Sequence, residues 1–486
     1  MSTFPYLPGT TVQLEDQGLQ IARPPSGPVV LLLGMTTSTN PLASAYAPYA
    51  VSNSSVTTAD QIFRNSDGSV SELCAALYEA QVAGAQNIQL CNVLPVGSGT
   101  MSTSSPGIIY NSVGSAVAYN DKYGYLGAAY NVLINYPADI VVPVGVHIDE
   151  VVTANYSPLY GGTAWNFGYQ LANFCYQCST NNNTTIGVIG VNNALTGLNP
   201  AAGAFQLYSQ TNTDASGVPT LSSIASWVYS VSTYAGALST YNGTTATALG
   251  VPGNYSYVAM STGQMPPNYA SGDTFDALGN HVDIGAYISV VAANAQASNI
   301  ASFTINPTLG YYNTTGAAAY AGLIASLQSQ SAPTNKVLNG ITLQQGISQS
   351  QANTLAGSRY VTFIAKPKGI VCASAMTGAY NINQYSRSDY VRLTTKRIVN
   401  DAINYVRQIG DPFIGEPNNA PQRNALSTAI NTALSNMQQA GALTRFDFTV
   451  YASATDQVLG NCNVQLVLVP SFEMQQIIVT VALTSQ

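Results

Sequence analysis

Three stretches near the end of this chain alternate apolar and polar side chains with a period of two. Arg445–Ala452 sets Phe446, Phe448 and Val450 on one side, and Cys462–Val469 does the same with Val464, Leu466 and Leu468. Gln475–Leu483 repeats the pattern with Ile477, Val479, Val481 and Leu483. Such a period fits a half-buried strand and not a helix. Two helix candidates precede the strands, Asp389–Ile409 and Pro421–Ala440. In the second, Leu426, Ile430, Ala433, Leu434 and Met437 share a face, Pro421 suits the first turn, and Gly441 suits a left-handed stop. The last hundred residues therefore read as an α+β unit. No turn or helix follows the third strand to cover its outer edge. A row of open N–H and C=O groups is a pairing template, either docked inside its own sheet or paired with a neighbouring copy.

The first helix candidate is basic. Arg387, Arg392, Lys396, Arg397 and Arg407 put five cations in 21 residues, and Val391, Ile398, Ala402, Val406 and Ile409 form an apolar stripe. Arg392 and Lys396 stand four apart and Arg407 eleven beyond, so the three share a face. Most charge runs are solvated faces; the functional alternative is docking onto an acidic partner. The rest of the chain is acidic: residues 1–358 hold four basic and fourteen acidic groups, residues 359–486 ten and seven. That balance argues against nucleic-acid binding by the main body. Charged residues make up only 7%, against the usual quarter, and Ser, Thr, Asn, Gln and 31 Tyr take their place. Such a composition suits large protein–protein surfaces, and it suits secreted proteins too.

At 486 residues the chain exceeds one ordinary domain. Residues 1–24 read as an extended arm, with Pro5, Pro8 and Gly9 excluding a helix and Thr11, Val12, Gln13 and Leu14 forming a short extended piece. Residues 25–372 alternate short buried strands with helices. The strands are Val29–Leu33, Ile88–Leu94, Asp139–Val146, Ile186–Ile189, Tyr255–Met260 and Tyr360–Ala365. The helices are Ser71–Ala83, Ala164–Cys178, Asp283–Ala297 and Gln349–Ala356. Alternation of this kind predicts an α/β core with a mainly parallel sheet. Two stretches interrupt it as insertions or exposed segments: 97–135, with strands at best, and 192–250. No apolar run is long enough to span a membrane, and Met1–Pro5 shows no secretory leader.

Chemistry is sparse. His147 closes a strand, where open α/β sheets place catalytic groups, but a solvated strand end is the better explanation. Asp273, Asp276, His281 and Asp283 match neither a calcium loop nor a zinc motif. Cys175-Tyr176-Gln177-Cys178 is a lone CxxC without the second pair that zinc requires, and the six scattered cysteines form no disulfide framework. We expect no catalytic residues, metal or cofactor.

The C-terminal motifs resemble those of contractile tail sheath proteins, found in long-tailed phages and related injection machines. The resemblance rests on Arg397-Ile398-Val399-Asn400-Asp401, on Phe413-Ile414-Gly415-Glu416-Pro417-Asn418-Asn419, on Gln439-Ala440-Gly441-Ala442-Leu443 and on the final strands. It covers the last quarter of the chain and part of the N-terminal arm. It implies a subtilisin-like α/β core, though no Asp…His…Gly-Thr-Ser order supports a protease, and a C-terminal assembly domain over 373–486. It implies a structural subunit without enzymatic activity, polymerised as stacked hexameric rings around an inner tube that it drives through a host envelope. The implied partners are other copies, the tube protein, the baseplate and the tail terminator, with neither nucleic acid nor membrane. The implied location is a phage tail assembled in the host cytoplasm. Strand exchange would use Thr11–Leu14 and Ile477, Val479, Val481 and Leu483, and Arg392, Lys396 and Arg407 would face the tube. A hydrolase using His147 or His281 and a secreted surface protein are the competing readings.

Overall fold

The computed structural model describes residues 27–51, 56–94, 99–101, 109–111, 119–148, 166–180, 184–191, 284–293, 295–298, 311–343, 347–357, 359–379 and 389–474. Its first elements are β1 (Val29–Gly34), β2 (Tyr49–Val51), α1 (Val56–Phe63), α2 (Glu72–Val82) and β3 (Asn87–Asn92). A small hairpin follows, β4 (Gly99–Met101) with β5 (Ile109–Asn111), then α3 (Tyr119–Leu133), β6 (Ile140–Pro143), α4 (Asn166–Thr180) and β7 (Ile186–Gly190). The chain continues with β8 (Ile288–Val291), β9 (Ala295–Ser298), β10 (Tyr311–Thr314), α5 (Ala317–Ser326), β11 (Ile341–Leu343), α6 (Gln349–Gly357) and β12 (Tyr360–Val361). The hairpin β13 (Phe363–Lys366) and β14 (Gly369–Cys372) leads to α7 (Leu393–Gly410), α8 (Ala420–Gln439), β15 (Leu443–Tyr451), α9 (Ala454–Leu459) and β16 (Asn463–Pro470).

The body is a seven-stranded sheet in the order β12-β8-β7-β6-β1-β3-β2. Every neighbouring pair is parallel except β2 with β3 at one edge. Strand β1 shows why its sequence has no polar residue before Gly34. Val30 and Leu32 enter the core beneath α1, α2 and α5, while Leu31 and Leu33 enter the core beneath α3 and α4. A parallel strand covered on both faces needs apolar side chains in both directions. The helices carry ordinary start and stop signals: Ser71 caps α2 by accepting from the Cys74 N–H, Asn419 caps α8 by accepting from Gln422, and Gly441 takes φ +78° after it.

Most expected elements stand within a few residues of their places; three readings are corrected. Asp283–Ala297 is not a helix: within it Ile288–Val291 is a wholly buried strand wedged between β7 and β12. Its apolar run fits either period, and the branched Ile288, Val290 and Val291 suit the double-sided slot. The stretch 97–135 is not limited to strands, because Leu126, Ala129, Tyr130 and Leu133 bury one face of α3. Its pattern was hidden by Gly124 and by Gly127, where a Cβ would lie 2.9 Å from Gln170 Nε2. Tyr360–Ala365 splits at Thr362, so β12 ends the large sheet and β13 pairs with β14. The expected strand 255–260, the arm 1–24 and the stretch 192–250 lie outside the described residues.

Helices α2 and α5 approach closely because small residues line their contact. A Cβ on Gly322 would fall 2.3 Å from the Ala80 carbonyl oxygen and 2.9 Å from the Ala83 Cβ. Gly322→Ala must push the two helices apart, and we expect a loss of about 1–3 kcal/mol. The measurement is the urea unfolding midpoint; an unchanged or higher midpoint would contradict this contact.

Candidate assembly interface

In an open α/β sheet the usual place for chemistry is the crevice where strand order reverses, here beyond the ends of β1 and β6. Its polar groups are occupied with one another. Lys122 Nζ donates to the Gly145 carbonyl (2.7 Å) and stands 3.8 Å from Glu72 Oε1. Gly145 has φ +72°, and a Cβ there would land 1.7 Å from Glu72 Oε2, so the carboxylate fills the turn. Alongside, Asn92 Oδ1 accepts from the Thr36 and Leu94 N–H groups, and Asn65 Oδ1 accepts from Thr37 N. His147 sits in a parallel bridge with Gly190. Among the described residues no His, Cys, Asp or Glu cluster could hold a metal, and no helix is long and apolar enough to cross a membrane. His281, Asp273, Asp276 and Asp283 lie outside the described residues. Cys175 and Cys178 are buried in α4, and burial pushes the Cys178 thiol up to about 12 and that of Cys175 well above its usual value.

The C-terminal unit is built around α7. On one side Ile398, Ala402 and Val406 meet Leu426, Ile430, Leu434 and Met437 of α8, with half-buried Phe446, Phe448, Val464, Leu466 and Leu468 of the hairpin beneath. On another side Val399 and Ile403 pack with Tyr390. Arg397 donates to the carbonyls of Leu327 (2.6 Å) and Gln328 (3.2 Å), closing the end of α5. Burial lowers the pKa of Arg397, against a raising pull from Asp401. Thr184 Oγ1 donates to Asn404 Oδ1 at 3.1 Å.

This arrangement corrects the reading of a tube-facing cationic stripe. Lys396 is 6% exposed, with its ammonium 3.7 Å from the Tyr287 ring centroid and 5.1 Å from that of Tyr390. Arg407 is fully buried; burial drives its pKa down and Asp411, one turn on, pulls it back up. Arg392 holds the N-cap position of α7, with its guanidinium 5.9 Å from the Phe472 ring centroid. The spacing placed Lys396 and Arg407 on one side of the helix, but that side faces inward because the body packs against it. Only Arg392 is partly exposed.

The hairpin is an exposed part of this unit. β15 and β16 pair only with each other among the described residues, in register from Arg445 opposite Val469 to Tyr451 opposite Asn463. Their inner face lies on α8. Their outer face shows Tyr451 (52% exposed), Val467 (57%) and Val469 (38%), and Val458 and Leu459 are exposed on α9 between the strands. Reading only alternate positions misses the outer valines, although the unbroken apolar run Leu466–Val469 signals a strand with two sides to cover. Thr11–Leu14 and Ile477, Val479, Val481 and Leu483 lie outside the described residues.

No protein-family model matches the sequence, and no curated protein matches it. Solved structures do. A chain of the cryo-EM structure of the anti-feeding prophage baseplate, 6-fold symmetrised, is similar at a TM-score of 0.54 and 12% identity, over 99% of this chain and 100% of that one. A chain of the sheath complex of PVC, an extracellular contractile injection system, in its contracted state gives 0.50 and 11%, over 99% and 98%. The sheath tail protein of Desulfitobacterium hafniense gives 0.48 and 9%, over 93% and 98%. At such identities the first two likenesses are likenesses of fold. This chain shares its fold with proteins of contractile injection systems, the sheath among them.

Arg397→Leu leaves two carbonyls at the end of α5 without their donor, and we expect a stability loss of about 1–3 kcal/mol, read as a lowered denaturant midpoint. The thiols give a second check. Cys462 is the one partly exposed cysteine, and Cys74, Cys91, Cys175, Cys178 and Cys372 are buried with raised pKa values. A thiol reagent should label Cys462 first and the other five only on unfolding. Unfolded thiols ionise near pH 9 while the folded ones stay protonated, so stability present at neutral pH should fall as pH rises above about 9.

Proposed function

We propose that this chain is a structural subunit of a contractile sheath and not an enzyme. The observation that carries the reading is the fold shared with a chain of the PVC sheath complex over 99% of this chain. Two features of the molecule support it. Among the described residues the strands of the hairpin β15–β16 pair only with each other, and Tyr451, Val467 and Val469 are exposed on its outer face beside Arg445, Asp447, Thr449 and Gln465. The crevice where an α/β enzyme would bind substrate is filled by Glu72 and Lys122.

The subunit would form hexameric rings stacked into a helix around an inner tube, with baseplate and tail terminator at the ends, in a phage-like tail assembled in a host cytoplasm. The layout is an arm over 1–24, a subtilisin-like body over 25–372 and an assembly unit over 373–486. Thr11–Leu14 and Ile477–Leu483 would add strands to sheets of neighbouring copies. Each backbone hydrogen bond contributes about 0.5–1.5 kcal/mol net, so two added strands would hold a joint through a large displacement. Contraction is then rigid-body motion of the α/β bodies about these joints, driven by better packing between bodies and not by a nucleotide.

Electron microscopy of the purified protein at high concentration tests this: striated tubes or rings are expected, and particles that stay single contradict it. Deleting residues 475–486 should abolish the polymers and leave a monomer with the parent melting temperature. Polymers that survive the deletion would exclude the C-terminal strand as the joint.

A further inference from the structure

Between the hairpin and the chain beyond Met474 the backbone leaves the sheet and is held elsewhere. Ser471 N still donates to the Ala442 carbonyl (2.9 Å), alongside β15. The next two residues meet the start of α7. Phe472 lies under the Arg392 guanidinium, and Arg392 Nη1 donates to the Glu473 carbonyl at 3.5 Å. Glu473 Oε2 accepts from Thr394 Oγ1 (3.4 Å), in the first turn of α7, and from Thr334 Oγ1 (3.5 Å), on the loop after α5. Thr334 is itself fixed, its Oγ1 accepting from Ala375 N at 3.2 Å. A carboxylate at the start of a helix is favoured by the helix dipole as well. Glu473 thus touches two separate segments, and its charge reaches the buried Tyr320 and Cys372.

We infer that Glu473 is a positioning residue that clasps the root of the C-terminal segment to the seam between the α/β body and α7, and so fixes the point from which that segment departs. The length of the root makes this matter. Residues 471–474 are as long as an ordinary hairpin loop, and the sequence after them alternates as a strand. With the root free, Gln475–Leu483 could fold back on the open edge of β16. One event would use up both the strand and the edge that an intermolecular joint needs. With Phe472 and Glu473 held at α7, the chain leaves from a fixed point away from that turn. Both hydroxyl bonds are long, so the clasp is a restraint and not a pillar of the fold.

The clasp is a property of the monomer; only its consequence for assembly rests on the sheath reading. The test compares wild type, Glu473→Ala and Glu473→Gln by chymotrypsin cleavage after Phe472, each rate divided by that of an unstructured peptide with the same residue 473 so that the change beside the scissile bond cancels, read by mass spectrometry as release of residues 473–486, with melting temperature and polymer yield alongside. Glu473→Ala should raise the cleavage rate roughly tenfold, as expected for loss of a local restraint, with the melting temperature within about 2 °C of wild type. Its polymer yield should fall several-fold. Glu473→Gln keeps an acceptor for both hydroxyls and should lie between the two. Equal cleavage of Glu473→Ala and wild type overturns the proposal, as does faster cleavage accompanied by a general loss of thermal stability. Wild type that forms no polymer sinks the sheath reading, while the cleavage comparison still decides the clasp.

Discussion

The structure turns on α7 being covered on more than one side, with Tyr405 left exposed on another. One set of its side chains, Ile398, Ala402 and Val406, completes the core shared with α8 and the hairpin. Val399 and Ile403 meet Tyr390, and Lys396, Arg397 and Arg407 fill the remaining inward positions. A two-stranded sheet is marginal by itself, so β15–β16 depends on α8, and α8 depends on α7. The hairpin is thereby held in a defined position on a rigid α/β body.

Burying three cations to build such a joint is costly unless each finds a partner. Lys396 finds ring faces, an interaction of about 2 kcal/mol when desolvated. Arg397 finds two carbonyls that would otherwise end α5 without donors. Arg407 has Asp411 one turn along. Two of these reach across to the body, Lys396 to Tyr287 and Arg397 to the carbonyls of Leu327 and Gln328, while Arg407 and Asp411 both lie at the end of α7. Lys396 and Arg397 therefore tie α7 to the body at defined points.

This is also where reading the sequence reached its limit. The hairpin strands, α8 with its Asn419 and Gly441 ends, and β1 were legible because their periods are set by one local geometry. The basic helix was legible as a helix but not as a buried one. Its charges follow the same spacing on a solvated face as on one that packs against Tyr287 and the end of α5. Distant residues decide between the two, and nothing local reports them. Ile288–Val291 misled for a related reason: a run that is apolar on every side has no period, so its place between β7 and β12 is fixed by the sheet. Glu473 carried no signal, since its partners Thr334, Arg392 and Thr394 lie 79 or more residues away along the chain.

The division between what is closed and what is open follows a physical logic. Inside the body, polar groups are spent on each other: Asn92, Asn65 and Thr36 at the strand ends, and Glu72 and Lys122 in the crevice. At the hairpin the reverse holds, with main-chain edges and Val467, Val469 and Tyr451 presented outward. An open edge is a hazard unless something regulates what pairs with it. Next to the hairpin, Phe472 lies against Arg392 and Glu473 accepts from Thr394 and Thr334, so the chain just after β16 is anchored at the start of α7.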